Sequence, residues 1–199
     1  NITITNLGNM EDVFELIAEN LPQDWHVEFY PTNASLSIYQ SANITVNITS
    51  GMRANAGENR VPLTAKSVYD PEAKKSVDVF VNITQFWGLN ATCATPEKGI
   101  RWNSTENYTA IPVTIVNEGN GVDTVNLSIV SLDGISAGWN VSLSEQSVSV
   151  DGYASRDVVI NVSSPINASQ GQKISFTVRG VNAKGNTSYT SLTAMVSLP

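Results

Sequence analysis

The sequence of 199 residues has very few of the residues that build metal, disulfide or nucleic-acid sites. It contains one cysteine, Cys93, and one histidine, His26. These two counts exclude a disulfide framework, a His/Cys zinc cage and an iron–sulfur site. Lysine plus arginine number 11 against 18 aspartate plus glutamate, so the formal net charge is −7. Because a nucleic-acid partner requires a positive face, we expect no such partner.

Long apolar runs are absent as well. No stretch of about 18 consecutive apolar residues occurs, so we expect no membrane span in this segment. Hydrophobic residues nevertheless make up 41% of the chain, with four Trp, six Tyr and five Phe. This is enough apolar material to form a folded core, and wholesale disorder is therefore not expected.

The feature present in excess is the N-x-[ST] acceptor triplet for N-linked glycans. With 21 Asn and 39 Ser plus Thr, 21 × 39/199 gives roughly 4 triplets by chance. The sequence contains 13, and none has Pro in the middle. The acceptors are Asn1, Asn33, Asn43, Asn47, Asn82, Asn90, Asn103, Asn107, Asn126, Asn140, Asn161, Asn167 and Asn186. We therefore expect N-linked glycans on the chain.

Several acceptors lie in segments where apolar and polar residues alternate. In the segment 43–49, Ile44, Val46 and Ile48 share one face of a strand, while Asn43 and Asn47 share the other. Asparagine is otherwise depleted in strands, so its repeated presence there needs a separate cause. This pattern predicts glycans on the outer face of a sheet and an extracellular or cell-surface location.

The sequence contains an internal repeat. Asn6, Gly8, Asn9, Asp12 and Leu16 match residues 111 positions later. Those counterparts are Asn117, Gly119, Asn120, Asp123 and Leu127. Trp25 matches Trp139, and Asn47 matches Asn161, both at an offset of 114. We conclude that the chain contains two copies of one domain.

Within each copy the hydrophobic period is two, and turn residues such as Gly, Asn, Asp and Pro separate the short alternating segments. This predicts an all-β fold of two tandem Ig-like Greek-key β-sandwich domains, residues 1–87 and 88–199. Residues 91–108 are expected to supply a leading strand to the second copy only. The first copy would then lack its leading strand, either because earlier sequence was cut away or because another chain fills its place. Without that strand its sheet edge is unpaired.

The first copy contains the motif Thr-x-x-Asn-x-Gly-Asn, then Asp12, then Leu-Pro-x-x-Trp-x-Val at residues 21–27. This pattern resembles the Ig-like repeats of archaeal and bacterial surface proteins. It is similar to CARDB-type adhesion repeats and to the domain associated with NPCBM modules in secreted glycosidases. The second copy has 135–138 in place of the Leu-Pro loop. Many acceptor triplets without disulfides are similar to archaeal cell-surface glycoproteins. The resemblance implies spacer, adhesion or lattice modules.

Residues that could carry chemistry are sparse. Asp24 and His26 lack a nucleophile elbow, and the carboxylate pairs are expected on turns, so we expect no enzyme. We expect no cofactor and no metal; the alternative is structural calcium, for which the candidate ligands are Asn9, Asp12, Asn120 and Asp123. The competing interpretation is that Asn and Gly serve positive-φ turns.

Two tryptophans occur in one copy only. Trp87 and Trp102 either fill the interface between the copies or form an exposed platform for a sugar ring. Cys93 is expected to be a buried free thiol rather than an intermolecular link.

Two functions of different class follow. The leading hypothesis is a non-catalytic, heavily N-glycosylated structural subunit of an envelope layer or surface filament. It would assemble with copies of itself or with neighbouring repeats, through strand edges or chain ends. The alternative is a carbohydrate-binding or adhesion module of a larger secreted or surface-anchored protein, with Trp87 or Trp102 as the platform.

Overall fold

The computed structural model of the chain describes residues 1–101, 107–133 and 138–197. The chain divides into two compact units, Asn1–Thr84 and Gln85–Pro199. The boundary predicted from the sequence repeat, between residues 87 and 88, lies three residues further along the chain. Within the described residues, no helix is long and apolar enough to cross a membrane.

The first unit is built from seven strands in two sheets. One sheet has the order β1-β5-β3 and the other the order β4-β2-β6-β7. The strands are β1 Ile2–Thr5, β2 Asp12–Ala18, β3 His26–Tyr30, β4 Asn33–Leu36, β5 Ser41–Thr49, β6 Gly57–Ser67 and β7 Lys74–Ile83. Every pairing among them is antiparallel.

The second unit has nine described strands, again in two sheets. Their orders are β12-β14-β10-β8 and β13-β11-β15-β16-β9. The strands are β8 Leu89–Thr92, β9 Glu97–Arg101, β10 Tyr108–Asn117, β11 Asp123–Asp133, β12 Asn140–Leu143, β13 Ser147–Val150, β14 Ser155–Ser163, β15 Lys173–Val181 and β16 Thr187–Ser197. All pairings are antiparallel except β9 with β16, which run parallel.

The two units share one topology. The order β1-β5-β3 corresponds to β10-β14-β12, and β4-β2-β6-β7 corresponds to β13-β11-β15-β16. Two antiparallel sheets with strands out of chain order are the Ig-like Greek-key sandwich, which confirms the predicted fold class. The predicted leading strand of the second unit is in fact two strands, because β8 pairs with β10 in one sheet and β9 pairs with β16 in the other.

Each sandwich buries the apolar face that the period-two pattern predicts. In β5 Ile44 is fully buried, whereas its neighbours Asn43 and Thr45 are exposed. In β10 the side chains of Ile111, Val113 and Ile115 are all fully buried. Since burial of one aliphatic side chain contributes about 2 kcal/mol, these inward rows hold the two sheets together.

The repeated Asn-x-Gly motif is a buried hydrogen-bonding device. The side-chain amide of Asn6 donates to the carbonyl oxygens of Met10 at 2.7 Å and Leu36 at 2.9 Å, and its oxygen accepts from the backbone N–H of Gly8 at 2.9 Å. Asn6 is only 1% exposed. This buried side chain therefore satisfies three backbone groups near the end of β1.

Asn117 makes the same three hydrogen bonds in the second unit. It donates to the carbonyl oxygens of Gly121 at 2.8 Å and Val150 at 3.0 Å, and it accepts from the N–H of Gly119 at 2.9 Å. Its exposure is also 1%. The motif thus has the same structural role in both copies, which accounts for its presence at equivalent positions of the repeat.

In the second unit, the glycine of this motif is required for close approach rather than for a left-handed turn. Neither Gly8 nor Gly119 has a positive φ, contrary to the positive-φ interpretation of the sequence. A Cβ at position 119 would lie 2.5 Å from the carbonyl oxygen of Phe86. The left-handed conformation instead occurs at Tyr39 and Tyr153, with φ of 58° and 59°.

The buried asparagines generate a stability prediction. Replacing Asn6 or Asn117 with Ala leaves buried backbone groups without partners, so we expect each change to lower the free energy of unfolding of its own unit by about 2 kcal/mol. Urea unfolding followed by hydrogen exchange in each unit measures this. Asn9→Ala, in the exposed part of the same turn, is the control. Asn6→Ala and Asn117→Ala variants as stable as this control would contradict the assigned role.

Candidate functional site

The acceptor asparagines lie on the outside of both units. Among the described residues, every acceptor is exposed except Asn107, which is half-buried. Asn103 lies outside the described residues. Because an N-linked glycan is bulky, it requires exposed attachment points of this kind.

The strand acceptors occupy the outward rows of the sheets. On β5 Asn43 and Asn47 are exposed, and on β14 Asn161 is exposed between the buried Ile160 and Val162. The Asn43 amide oxygen accepts a hydrogen bond from the Thr3 hydroxyl at 2.8 Å on the neighbouring strand. Glycans on these rows would cover the outer sheet faces without disturbing the core.

Asn107 differs from the other described acceptors. Its side-chain oxygen is buried without a hydrogen-bond partner, and its backbone carbonyl accepts from the N–H of Ser164 at 2.9 Å. It immediately precedes β10, where the chain enters the sandwich. We therefore expect it to be the least accessible of the described acceptors.

An open cleft separates β1 from β7 at one edge of the first unit. Its volume is about 560 Å³, and its walls are residues 2–8 and 73–77, with Phe14 and Leu63 also lining it. None of the lining residues is a glycan acceptor. The cleft exposes apolar side chains that belong to the interior face of the sandwich.

In the second unit the corresponding position is filled by β8. Ala91 lies opposite Ile115 in the antiparallel ladder with β10. The backbone N–H of Ala91 donates to the Ser188 hydroxyl at 3.0 Å, and the Thr190 hydroxyl donates to the Ala91 carbonyl. Thus β8 contacts both sheets, and it covers the edge between β10 and β16.

The solvent exposure of equivalent residues in the two units shows the effect of covering by β8. The pair Leu63–Val77 on β6 and β7 corresponds to Phe176–Leu192 on β15 and β16. Leu63 and Phe176 are both buried, but Val77 is 51% exposed and Leu192 only 2%. An inward-facing residue of β7 is therefore left uncovered in the first unit.

The tryptophan platforms predicted from the sequence are only partly described. Trp87 is half-buried, and the Lys184 ammonium lies 5.3 Å from the centroid of its ring. The backbone carbonyl of Trp87 accepts a hydrogen bond from the Asn186 side-chain amide at 3.1 Å. The ammonium stacks on the ring as a cation–π contact. Trp102 lies outside the described residues.

The four calcium candidates lie in the two equivalent turns, two in each unit. The Asp12 carboxylate accepts from the N–H of Val13 at 2.7 Å, and Asn9 is exposed. In the second unit the Asn120 side chain accepts from the N–H of Phe86 at 2.8 Å. The carboxylate of Asp123 accepts from the N–H of Ala183 at 3.2 Å.

These donors account for three of the six candidate side-chain oxygens, and the second carboxylate oxygen of Asp123 is buried without a hydrogen-bond partner. Within the described part of the chain, no group of three or more His, Cys, Asp or Glu side chains could hold a metal ion.

The ionisable residues of the first unit form surface contacts. His26 begins β3 and lies 3.4 Å from the Glu28 carboxylate, with both side chains largely exposed. The Tyr30 hydroxyl donates to the same carboxylate at 2.8 Å, and this hydrogen bond, together with the carboxylate charge, raises the pKa of Tyr30. This arrangement has neither a nucleophile nor an enclosed cleft, so it does not form a hydrolytic triad.

Cys93 is half-buried rather than buried, and it follows β8 instead of lying within it. Its thiol donates to the Pro112 carbonyl at 3.2 Å. The sequence-based expectation of a buried strand cysteine is therefore wrong, because β8 ends at Thr92 where the chain leaves β10.

The contrast between Val77 and Leu192 yields a second prediction. Leu192→Ala should lower the free energy of unfolding of the second unit by about 3 kcal/mol, since it creates a cavity in a closed core. Val77→Ala should cost the first unit less than about 1 kcal/mol, because half of its surface already contacts water. Chemical denaturation of both variants measures the difference. Equal losses would mean that Val77 is covered in solution.

No family model matches the sequence, and no curated protein does so either. Among solved structures, the chain is similar to the Yersinia pseudotuberculosis adhesin InvE, with 14% identity and a TM-score of 0.41 over 95% of this chain and 50% of that one. It is also similar to the E. coli chaperone DraB, with 16% identity and a TM-score of 0.33 over 97% of this chain and 88% of that one.

The chaperone CupB2 of Pseudomonas aeruginosa matches with 9% identity and a TM-score of 0.33 over 96% of this chain and 89% of that one. The chain spans half the length of InvE. At such low identities, these similarities concern the all-β sandwich fold alone.

Proposed function

We propose that this protein is a non-catalytic, N-glycosylated extracellular structural subunit that assembles through its strand edges. The observation that carries the proposal is the exposure of the acceptor asparagines in both units. Their excess over the chance expectation requires a cause other than composition. Glycan attachment supplies that cause and also explains asparagine at strand positions where it is otherwise disfavoured.

Glycans on the outward rows restrict where partners can bind. Asn43 and Asn47 lie on the outer face of β5, so a glycan there would hinder broad face-to-face contact. The walls of the cleft between β1 and β7 contain no acceptor. Assembly through a sheet edge is therefore compatible with dense glycosylation, because edges pair through backbone groups and need little side-chain surface.

The finer identity that we propose is an archaeal cell-surface glycoprotein of the CARDB-like type, in an envelope layer or an extracellular filament. The support is the repeated Asn-x-Gly motif, the number of acceptors and the single cysteine. Secreted domains of this size that rely on disulfides carry more cysteines than one.

The competing function is a carbohydrate-binding or adhesion module. A sugar-stacking platform needs an exposed aromatic face. Trp87 is half-buried and has the Lys184 ammonium over its ring, which occupies a surface that a sugar would use. The structural-subunit proposal therefore has the better support among the described residues.

Glycoproteomic mass spectrometry of the protein isolated from its native source tests the proposal. We expect glycans at most exposed acceptors, including Asn43, Asn47 and Asn161, and the lowest occupancy at Asn107 because its side chain is half-buried. Analytical ultracentrifugation of the same material should show species larger than the monomer. Unmodified peptides at all of these sites, or a glycosylated protein that stays monomeric, would contradict the proposal.

A further inference from the structure

We propose that Phe80 is a stacking site for the glycan on Asn82, so that the first pyranose ring of this glycan packs against the aromatic ring. The glycan is then an ordered part of the first unit and not only a solubilising attachment. The inference rests on the proposed function, since it needs a glycan at Asn82, and it states what one outward-facing aromatic side chain recognises.

Phe80 and Asn82 lie on the same outward face of β7. Side chains two residues apart on a strand point to the same side of the sheet, and their Cα atoms are about 7 Å apart. The alternating residues Val79 and Val81 are half-buried and pack against the core. Phe80 is 56% exposed, and Asn82 is exposed as well. A sugar linked to the Asn82 amide therefore begins beside the aromatic ring.

The neighbours of Phe80 leave the side of the ring toward Asn82 open. On the adjacent strand, Arg60 lies opposite Phe80. The Nε atom of Arg60 contacts the Oδ2 atom of Asp78 at 2.8 Å. Asp78 precedes Phe80 by two residues, whereas Asn82 follows it by two. This ion pair therefore holds the guanidinium on the side of the ring away from Asn82.

Asn82 is the one acceptor in the sequence with an aromatic residue two positions before it. The chain also contains a matched comparison, because Asn47 belongs to the same triplet, Asn-Ile-Thr, and is exposed on β5 of the same unit. The residue two positions before Asn47 is the exposed Thr45. The two sites share the triplet, the strand setting and the exposure, and they differ in the residue that would contact the sugar.

Stacking on Phe80 has a clear physical basis. The C–H groups on one face of a pyranose ring form an apolar surface, and the face of an aromatic ring is apolar with a negative π-cloud. Covering the ring removes apolar surface from water at an edge strand, where exposed apolar residues favour aggregation. Asn82 lies at the opposite end of β7 from the cleft residues 73–77, so this glycan leaves the cleft uncovered.

Nuclear magnetic resonance of the glycosylated protein tests the contact directly. The sample is the full 199-residue chain secreted from a eukaryotic cell line and trimmed by an endoglycosidase to one N-acetylglucosamine at each occupied acceptor. We expect nuclear Overhauser effects between the Phe80 ring and the sugar on Asn82, with upfield ring-current shifts of the sugar protons. Both signals should disappear in Phe80→Thr, and the sugar on Asn47 should show no such shift.

A double-mutant cycle tests whether the contact stabilises the first unit. Asn82→Gln keeps an exposed amide but removes the acceptor, and it is made in the original protein and in the Phe80→Thr variant. In the presence of Phe80, we expect loss of the glycan to raise the unfolding equilibrium constant of the first unit about fivefold. In Phe80→Thr the same loss should change it little, and so should Asn47→Gln in the original protein. Urea unfolding followed by hydrogen exchange measures these constants.

Three results would overturn the inference. The first is a glycosylated Asn82 whose sugar shows no contact with the Phe80 ring. The second is a glycan on Asn82 that changes the stability of the first unit equally with and without Phe80. The third is an unmodified Asn82 in protein whose Asn47 carries a glycan.

These outcomes are separate from those that test the proposed function. If the native protein carries glycans at Asn43, Asn47 and Asn161 but the Asn82 sugar makes no contact with Phe80, the stacking inference fails and the function stands. A native protein without glycans at any acceptor would instead remove the proposed function, and the role of Phe80 would fail with it.

Discussion

The stability of each sandwich depends on how its apolar interior is shielded from water at the edge where the two sheets diverge. In the second unit, β8 and β9 pass from one sheet to the other and seal this edge, and Leu192 is buried as a result. The first unit has the same seven strands and the same buried asparagine motif, yet its edge is open and Val77 contacts water. Among the described residues, the two units therefore differ mainly in this covering.

The glycan acceptors and the cleft at the open edge occupy different parts of the protein surface. The acceptor asparagines that lie within strands occupy outward rows of the sheets, where the period-two alternation puts polar residues. The cleft walls carry none. A chain with this distribution can be coated with sugar on its faces while its β1 and β7 edges stay accessible to backbone pairing.

Much of the fold was predictable because alternation and the internal repeat are strong signals. The inward rows of β5 and β14 follow directly from the spacing of residues such as Ile44 and Ile160. The repeat also indicated an uncovered edge in the first copy. The division of the leading segment into β8 and β9 was not predicted from the sequence. The two strands belong to different sheets, and the alternation of apolar and polar residues is the same whichever sheet a strand joins. The hydrogen bonds of Asn6 and Asn117 were missed as well, since the same residues also suit turns.

The most direct test of the account is a high-resolution electron cryomicroscopy structure of the protein in its native surface assembly. The account predicts subunits that meet along sheet edges rather than across broad sheet faces. It also predicts glycan density on the outer sheet faces. Subunits that meet across broad sheet faces, with no glycan density on those faces, would contradict the central claim.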